Sequence, residues 1–177
     1  NVNTCELEDY IIANHQSYNE MNGNNINDVF VDEEKRIWIA NYPEGITIID
    51  NRYKSYNWIK HSIGNRQSLV NDQVHSVIED SDGDLWFGTS NGISFYQSKT
   101  GQWHSFLSSF DHQLKNKNHI FITLCEVSPG IIWAGGYTSG VYKINKRTLS
   151  VEYFSPYLLN PDNIRPDKYI RDIVKDS

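Results

Sequence analysis

Three aspartates alternate within the run EDSDGDLWFGTSNG, from Glu79 to Gly92, and alternating carboxylates can coordinate calcium. Asp80, Asp82 and Asp84 have the spacing of the first three ligands of an Asp-x-Asp-x-Asp loop. That loop needs glycine at its sixth position and glutamate at its twelfth, but here glycine is fourth and Asn91 is twelfth. The run therefore predicts a solvated β-turn, in which aspartate bonds the backbone N–H groups of the turn itself, rather than a metal site.

The remaining residues that could do chemistry lack the spacings that catalysis or metal binding requires. The sequence contains no Gly-x-Ser-x-Gly elbow, no phosphate-binding glycine loop and no Cys-x-x-Cys pair. Cys5 and Cys125 are far apart, and we expect two unpaired thiols, although a disulfide between them stays open. The six histidines, none with a metal-ligand spacing, are His15, His61, His75, His104, His112 and His119. We therefore expect no catalytic residue, no metal ligand and no cofactor in this chain.

The composition excludes two large classes of partner. The formal net charge is -6, from 16 Lys+Arg and 22 Asp+Glu, whereas nucleic acids and anionic membranes require clustered positive charge. No apolar run, including the largely apolar stretch 120–124, approaches the roughly 20 residues that span a bilayer. The chain begins Asn1-Val2-Asn3 without the basic segment of a signal peptide, as expected of a mature protein or a trimmed piece of one.

A repeat of about 47 residues organises the sequence. Trp38, Trp86 and Trp133 are 48 and 47 residues apart. Three features accompany each tryptophan: a glycine six or seven residues later, an acid six or seven residues earlier, and an aliphatic residue six before the acid. These residues are Gly45, Gly92 and Gly140; Asp32, Asp80 and Glu126; and Ile26, Val74 and Ile120. The aliphatic-to-acid spacing recurs once more at Ile170 and Asp176.

Within each repeat the apolar residues alternate with period two, which predicts β-strands rather than helices. The middle repeat contains four such strands, separated by turns: 74–79, 85–88, 93–97 and 103–107. Four antiparallel strands in a repeat of about 47 residues are typical of a β-propeller blade. Because a blade packs between two neighbours, both of its faces are apolar, which explains the adjacent large residues Trp86 and Phe87. We therefore predict that the three repeated tryptophans pack between blades and are not platforms for sugar rings.

We predict an all-β, propeller-type fold of about three and a half four-stranded antiparallel blades in one domain. The predicted parts are a half blade with a third and a fourth strand, three full blades, and the first strand of a further blade. Their ranges are 1–25, 26–72, 73–118, 119–166 and 167–177, with the final strand at 169–175. Because propellers close with about four to eight blades, we expect a fragment of a larger propeller, or a chain that closes with a second copy as a homodimer.

The run from Val74 to Ile93 resembles the two-component regulator propeller repeat, V-x-x-I-x-E-D-x-x-G-x-L-W-F-G-T-x-x-G-L. The matching residues are Val74, Ile78, Glu79, Asp80, Gly83, Leu85, Trp86, Phe87, Gly88, Thr89 and Gly92, with Ile93 in place of leucine. The neighbouring repeats depart from the pattern, with Lys35-Arg36 and Ala40-Asn41 in the first and Gly135-Gly136 in the third. The resemblance extends over residues 8–176.

This resemblance implies an extracytoplasmic role. Such repeats form the periplasmic sensing region of hybrid two-component histidine kinases, which are inner-membrane proteins, and many of these sensors respond to oligosaccharides. It implies that this segment senses an oligosaccharide and does not catalyse, while the kinase lies elsewhere in the full-length protein. Two other functions stay open. One is a scaffold that binds protein and no small ligand, and the other, with less support, is a lyase or glycosidase that assembles its acids from several blades.

A ligand of a propeller can bind at one rim of its channel, where the links between blades and the turns between second and third strands lie together. The sequence places six segments at this rim: 41–44, 59–71, 89–91, 108–118, 137–139 and 157–166. Aromatic side chains there can stack on a sugar ring, and amide, imidazole and guanidinium groups can bond its hydroxyls. The predicted ligand-binding residues are Tyr42, His61, Arg66, Asn91 and Tyr137.

Overall fold

Three four-stranded antiparallel sheets make up the computed structural model, which describes residues 21, 23–50, 52–53, 55–108, 119–154 and 169–176. Each sheet is one blade, with its strands in sequence order. Blade 1 contains β1 (Ile26–Val31), β2 (Ile37–Asn41), β3 (Gly45–Asp50) and β4 (Ser55–Ile59). Blade 2 contains β5 (Val74–Glu79), β6 (Leu85–Thr89), β7 (Gly92–Gln97) and β8 (Gln102–Phe106). Blade 3 contains β9 (Phe121–Ser128), β10 (Ile131–Gly136), β11 (Gly140–Asn145) and β12 (Ser150–Phe154). The predicted all-β, propeller-type architecture is confirmed.

Tight turns join the strands because particular residues adopt the left-handed backbone conformation. In blade 2, Gly83 has φ 81° in the turn between β5 and β6, where its N–H bonds the Asp80 carbonyl. Lys35 takes this conformation in the corresponding turn of blade 1, with φ 65°, although side chains rarely adopt it. Gly92 has φ 95° at the start of β7, and a Cβ atom there would lie 2.6 Å from the Phe106 carbonyl oxygen. Both conformation and space therefore require glycine at this position.

The hydrophobic core lies between the blades. Between blades 1 and 2, Trp38 is buried, and its ring centroid lies 6.2 Å from that of Phe87. Between blades 2 and 3, Trp86 is fully buried and stacks on Phe95 at 4.2 Å. Trp133 is only half-buried, since its face of blade 3 points away from blade 2. The contacts of Trp38 and Trp86 explain why tryptophan recurs at this position.

Two predicted repeat positions in blade 3 are wrong. The inner strand β9 begins at Phe121, which pairs with Gly136, so Ile120 lies just before the strand. Glu126 lies within β9 opposite Ile132, so it is not the acid of the following turn. Glu126 occupies the strand position of Glu79, which pairs with Leu85 in blade 2. At the offsets that blades 1 and 2 keep, 12 and 6 residues before the tryptophan, blade 3 has Phe121 and Val127, so this turn position holds no acid.

The predicted strand at 169–175 is not a β-strand in the structure. The segment lies against blade 3, where the Ile170 N–H bonds the Gly136 carbonyl at 3.2 Å and Thr123 Oγ1 donates to Asp172 Oδ1 at 3.1 Å. A β-strand needs a hydrogen-bonded partner strand, and none of the described residues supplies one for this segment.

Several predictions fall on residues outside the described ranges. The half blade lies there apart from residues 21 and 23–25, of which Met21 packs against Ile39 and Ile49 of blade 1. Most of the links at 108–118 and 157–166 also lie outside the described ranges. The blade boundaries in these parts stay predictions. Cys125 has a free thiol, whereas Cys5 lies outside the described residues. The described part of the chain contains no helix long and apolar enough to cross a membrane.

Candidate functional site

The turns between second and third strands lie at one end of the blades, which we call the tyrosine rim after Tyr42 and Tyr137. In each blade the first residue of this turn bonds the segment that leads into an inner strand. The bonds run from the N–H of Tyr42 to the carbonyl of Asn25 (2.8 Å), from Ser90 to Gln73 (3.0 Å) and from Tyr137 to Ile120 (2.8 Å). These equivalent bonds hold the turns and the links between blades at the same end.

A chain of hydrogen-bonding groups crosses from blade 1 to blade 2 at the tyrosine rim. The amide Nδ2 of Asn27, in β1, donates to the Val74 carbonyl at 2.8 Å and lies 3.3 Å from His75 Nδ1. The other ring nitrogen of His75, Nε2, lies 2.8 Å from Ser90 Oγ. The Tyr42 ring lies beside the imidazole, with 5.8 Å between the two ring centroids. We call Asn27, Tyr42, His75 and Ser90 the junction cluster, because each blade contributes two of the four.

The contacts of Asn27 determine the tautomer of the neutral imidazole. Since the Asn27 amide must present its NH₂ group to the Val74 carbonyl, Nδ2 is a donor and His75 Nδ1 is the acceptor. The proton of neutral His75 is then on Nε2, which donates to Ser90 Oγ. Burial lowers the pKa of His75, which favours this neutral form. Because Nε2 already carries a proton, it cannot accept one from Ser90, and the pair is not a nucleophile with its base.

A second aromatic contact lies at the tyrosine rim of blade 3. The Tyr137 ring packs edge-on against Tyr169, with 4.6 Å between the centroids, and the Arg171 guanidinium lies 5.3 Å from the Tyr169 centroid. Like Tyr42, Tyr137 begins the turn between second and third strands. The two tyrosines therefore occupy equivalent positions in blades 1 and 3, and Ser90 occupies this position in blade 2.

The structure separates the five predicted ligand-binding residues into two groups. Tyr42, Asn91 and Tyr137 lie at the tyrosine rim, one in each blade, whereas His61 and Arg66 lie in the link between β4 and β5. Of the five, Tyr42 alone belongs to the junction cluster.

The two link residues have other surroundings. His61 Nδ1 lies 2.7 Å from the Leu69 carbonyl oxygen, and the His61 N–H bonds Asp72 Oδ1 at 2.6 Å, so this histidine holds the link in shape. Arg66 is exposed, and together with Ser105 of the outer strand β8 it lines a shallow depression. Arg66 therefore lies toward the outer edge of blade 2.

Sequence reasoning missed Asn27, His75 and Ser90 as site residues. Asn27 and His75 are each the second residue of an inner strand, and Ser90 precedes the predicted Asn91. A polar residue at the second strand position in two consecutive repeats was the available signal. It identifies no site by itself, because Asn27 and His75 are 48 residues apart and meet only when two blades pack together.

The opposite end of the blades, which we call the ionic rim, carries the turns between first and second strands and between third and fourth strands. Lys146 of blade 3 reaches the acidic turn of blade 2, with its Nζ 2.7 Å from Asp80, 2.9 Å from Asp82 and 2.7 Å from Asp84. Burial alone would lower the pKa of Lys146, but its bonds to the three carboxylates outweigh burial and raise the pKa. The lysine stays charged and ties blade 2 to blade 3.

The acidic turn is therefore not the solvated β-turn that the sequence predicts. Asp80 and Asp84 are 5% and 7% exposed, and only Asp82 is open to solvent. Asp80 Oδ2 also accepts a hydrogen bond from the indole Nε1 of Trp86 at 2.8 Å. Lys146 supplies the positive charge here, and the described residues contain no cluster of side chains suited to a metal ion.

Blade 1 arranges its turn acid in a similar way but supplies the cation itself. Asp32 Oδ2 accepts from the indole Nε1 of Trp38 at 2.9 Å and from Arg36 Nε at 2.6 Å. Burial would raise the pKa of Asp32, but the hydrogen bonds from Trp38 and Arg36 outweigh it and hold the pKa below its usual range. The repeated acid and tryptophan of blades 1 and 2 are thus one structural pair.

Glu126 has a different role from the turn acid that its spacing predicts. Its carboxylate accepts bonds from the Ser81 N–H at 2.8 Å, the Ser81 hydroxyl at 3.0 Å and the Gly130 N–H at 2.8 Å. Ser81 belongs to blade 2 and Gly130 to blade 3, so Glu126 is a second polar contact across this boundary. Asp80, Asp84 and Glu126 therefore hold blades 2 and 3 together, whereas Asp32 is bonded within blade 1.

Known proteins resemble the chain in sequence and in structure. A family model described as two component regulator propeller matches residues 68–91, a small part of the chain that includes most of the quoted repeat. The resemblance to this repeat is thereby confirmed over those residues. No curated protein sequence matches the chain.

Solved structures with a similar fold include extracellular domains assigned to two hybrid two-component systems of B. thetaiotaomicron. The first aligns with a TM-score of 0.70 and 20% identity, over 83% of this chain and 20% of its own. The second aligns with a TM-score of 0.64 and 21% identity, over 92% of this chain and 19% of its own. An ancestral GH74 enzyme aligns with a TM-score of 0.54 and 15% identity, over 73% of this chain and 18% of its own. At these identities the likeness establishes the fold, and the chain spans about a fifth of the length of each structure.

Proposed function

We propose that this chain is an extracytoplasmic, ligand-sensing segment of a hybrid two-component sensor histidine kinase that responds to an oligosaccharide. The proposal rests on two likenesses found together in one chain. Residues 68–91 match the regulator propeller repeat, and the blades align with the extracellular domains of two hybrid two-component systems. Since one fold can host many functions, the sequence match is what favours a sensor over other propellers.

The tyrosine rim supports the ligand-binding part of the proposal. Tyr42 and Tyr137 place aromatic rings at equivalent positions of two blades, and the Tyr42 ring lies beside the uncharged hydrogen-bonding side chains of the junction cluster. Aromatic rings beside polar groups suit a sugar, which has an apolar C–H face and hydroxyl groups around its edge. Binding at this rim would involve turns and links, which vary between blades, and would leave the repeated core unchanged.

The arrangement of the carboxylates favours sensing over catalysis in this segment. A glycosidase needs two carboxyl groups facing the substrate, about 5 to 10 Å apart. Asp32, Asp80, Asp84 and Glu126 instead bond other protein groups at the ionic rim. We therefore assign phosphotransfer chemistry to a kinase domain elsewhere in the full-length protein.

The outer faces of blades 1 and 3 carry incompletely buried apolar residues, which favours further protein packed on both sides. Val29 and Val31 of β1 are 52% and 53% exposed, and Trp133 is half-buried on the far face of blade 3. Exposed apolar strand faces invite packing partners. We propose that the remaining blades of the full-length chain cover these faces, with closure by a second copy as the alternative. The proposed location is the periplasm, within an inner-membrane protein.

A signalling measurement in the full-length protein tests the function. A transcriptional reporter for the system's target operon would be challenged with cellohexaose, xylohexaose, mannohexaose and inulin. We expect induction by at least one of them, and weaker induction in a Tyr42→Ala, Tyr137→Ala double variant. Tyr53→Ala, at an exposed tyrosine of the ionic rim, is the matched control and should respond like the wild type. A natural reading frame that encodes no membrane segment and no kinase would contradict the proposal.

A further inference from the structure

We propose that the junction cluster of Asn27, Tyr42, His75 and Ser90 is a sugar-contact site and that it selects uncharged, hydroxyl-rich rings over charged ones. This inference rests on the proposed sensing function and assigns that function to particular residues. Three of the four are absent from the residues that the sequence predicts for binding.

The hydrogen bonds of the junction cluster leave one donor and one acceptor unused by the described residues. Ser90 Oγ accepts from His75 Nε2, so the hydroxyl proton of Ser90 points to another acceptor, and no described residue accepts it. Asn27 uses its Nδ2 for the Val74 carbonyl and for His75, while its Oδ1 accepts no bond from the described residues. The cluster therefore offers one donor and one acceptor to an incoming molecule. A sugar hydroxyl can bond with both.

The side chains of the junction cluster are already ordered without a ligand. His75 is held between Asn27 and Ser90, and the Tyr42 backbone N–H bonds the Asn25 carbonyl at 2.8 Å. The half-buried Tyr42 ring is thus fixed beside the imidazole, and its other surface is available to the C–H face of a sugar. Side chains that are already ordered lose little conformational entropy when a ligand binds.

The junction cluster contains no charged side chain. His75 is neutral, and Asp28 and Asp72 bond backbone groups: Asp28 Oδ2 accepts from the Val77 N–H at 2.8 Å, and Asp72 Oδ1 accepts from the His61 N–H at 2.6 Å. A carboxylate or sulfate on the ligand would lose hydration without gaining an ionic partner here. The site therefore selects an uncharged ring.

The position across a blade boundary gives the contact a structural consequence. Asn27 and Tyr42 belong to blade 1, and His75 and Ser90 belong to blade 2. A ring that bonds both Asn27 and Ser90 would join the two blades at the tyrosine rim. Binding would then raise the stability of the folded chain, by an amount that grows with the logarithm of ligand concentration above Kd.

Calorimetric titration of the chain with defined sugars tests the site. The probes are cellohexaose, xylohexaose and mannohexaose as uncharged sugars and hexagalacturonate as a charged one. We expect an uncharged hexasaccharide to bind more tightly than hexagalacturonate. Ser90→Ala should weaken its binding about fivefold, the loss of one hydrogen bond, and Tyr42→Ala about tenfold or more, the loss of an aromatic stacking face. Ser98→Ala and Tyr53→Ala are matched controls at the ionic rim and should change the affinity less than about twofold.

The outcomes separate the site from the function. Unchanged affinity in both Ser90→Ala and Tyr42→Ala, or tighter binding of hexagalacturonate, would overturn the site and leave the sensing function intact. If the wild-type chain binds none of the sugars but the full-length protein does, the site is overturned and the sensing function is not. Loss of binding from both proteins would overturn both proposals. If Tyr42→Ala does not fold, as judged by circular dichroism, Tyr42→Leu removes the flat ring while preserving most of the side-chain volume.

Discussion

The two rims of the same three blades use polar side chains in opposite ways. At the ionic rim Asp32, Asp80 and Asp84 are buried and bonded, and Asp80 receives bonds from both Trp86 and Lys146. At the tyrosine rim the polar side chains of the junction cluster are uncharged and partly exposed, and Asn27 and Ser90 each present hydrogen-bonding capacity that no described residue uses.

This difference shows where a blade can accept a ligand without losing stability. A buried charge that loses its partner is strongly destabilising, so the acids of the ionic rim cannot be diverted to a ligand. A partly exposed hydroxyl or amide exchanges water for a ligand at little net change in free energy. The repeat therefore separates the residues that hold blades together from the residues that could bind, and places them at opposite ends.

The largest effect is expected from Trp86, which supports the ionic rim from inside the core. Trp86→Ala should lower the free energy of unfolding by about 3–5 kcal/mol, because its ring is fully buried between blades. Trp133→Ala should cost less, since that ring is only half-buried in this chain. Urea denaturation of both variants measures the difference. Equal losses would show that blade packing does not depend on the neighbour that covers the tryptophan.

A slightly smaller loss is expected at the lysine of the ionic rim. Lys146→Met leaves Asp80 and Asp84 buried without a cation, and it should lower the free energy of unfolding by about 3 kcal/mol. The control is Lys143→Met, which removes an exposed ion pair with Glu152 at 3.4 Å and should cost less than about 1 kcal/mol. A Lys146→Met protein as stable as its control would remove the distinction between the two rims.

The smallest effect is a pH dependence at the tyrosine rim. Burial lowers the folded-state pKa of His75 below that of an unfolded histidine, about 6.5, so the unfolded chain takes up the proton first as pH falls. Stability is therefore full above about pH 6.5 and declines as pH falls toward the lowered pKa. Protonation also makes Nδ1 a donor facing the Asn27 amide.

Urea denaturation at about pH 7.5 and about pH 5.5 measures this dependence in the wild type and in His75→Asn. The wild type should lose more stability on acidification than the variant. Asp28, whose pKa is raised by burial, acts in the opposite direction but is present in both proteins and cancels in the comparison. An identical pH dependence in the two proteins would mean that His75 is not held neutral by the fold.

The sequence predicts the fold correctly wherever neighbouring residues along the chain determine the local structure. The period-two pattern predicts a strand at 74–79, where β5 lies, and Asp80 with Gly83 predicts the turn that follows. It failed where the repeat changes its residues. Blade 3 has Val127 at the position of Asp80, and the neighbouring Glu126 pairs with Ile132 as Glu79 pairs with Leu85.

The candidate site was predictable only in part, for a physical reason. Tyr42 could be predicted because it lies in the turn between the second and third strands, and the residues of a single blade are enough to identify that turn. His75 and Asn27 are 48 residues apart, and Lys146 and Asp80 are 66 apart, so both contacts depend on how neighbouring blades stack. No local pattern encodes that packing, because the same repeat places Ser98 in blade 2 where blade 3 has Lys146.

The most direct test of the division between rims measures stability and sugar affinity together in two variants, using the uncharged hexasaccharide that binds the wild type best. Lys146→Met should lower the free energy of unfolding by about 3 kcal/mol while the folded chain keeps its affinity within about twofold. Ser90→Ala should change stability by no more than about 1 kcal/mol and weaken binding about fivefold. The result that contradicts this division is a loss of both stability and sugar affinity in each variant, because each rim would then contribute to stability and to binding.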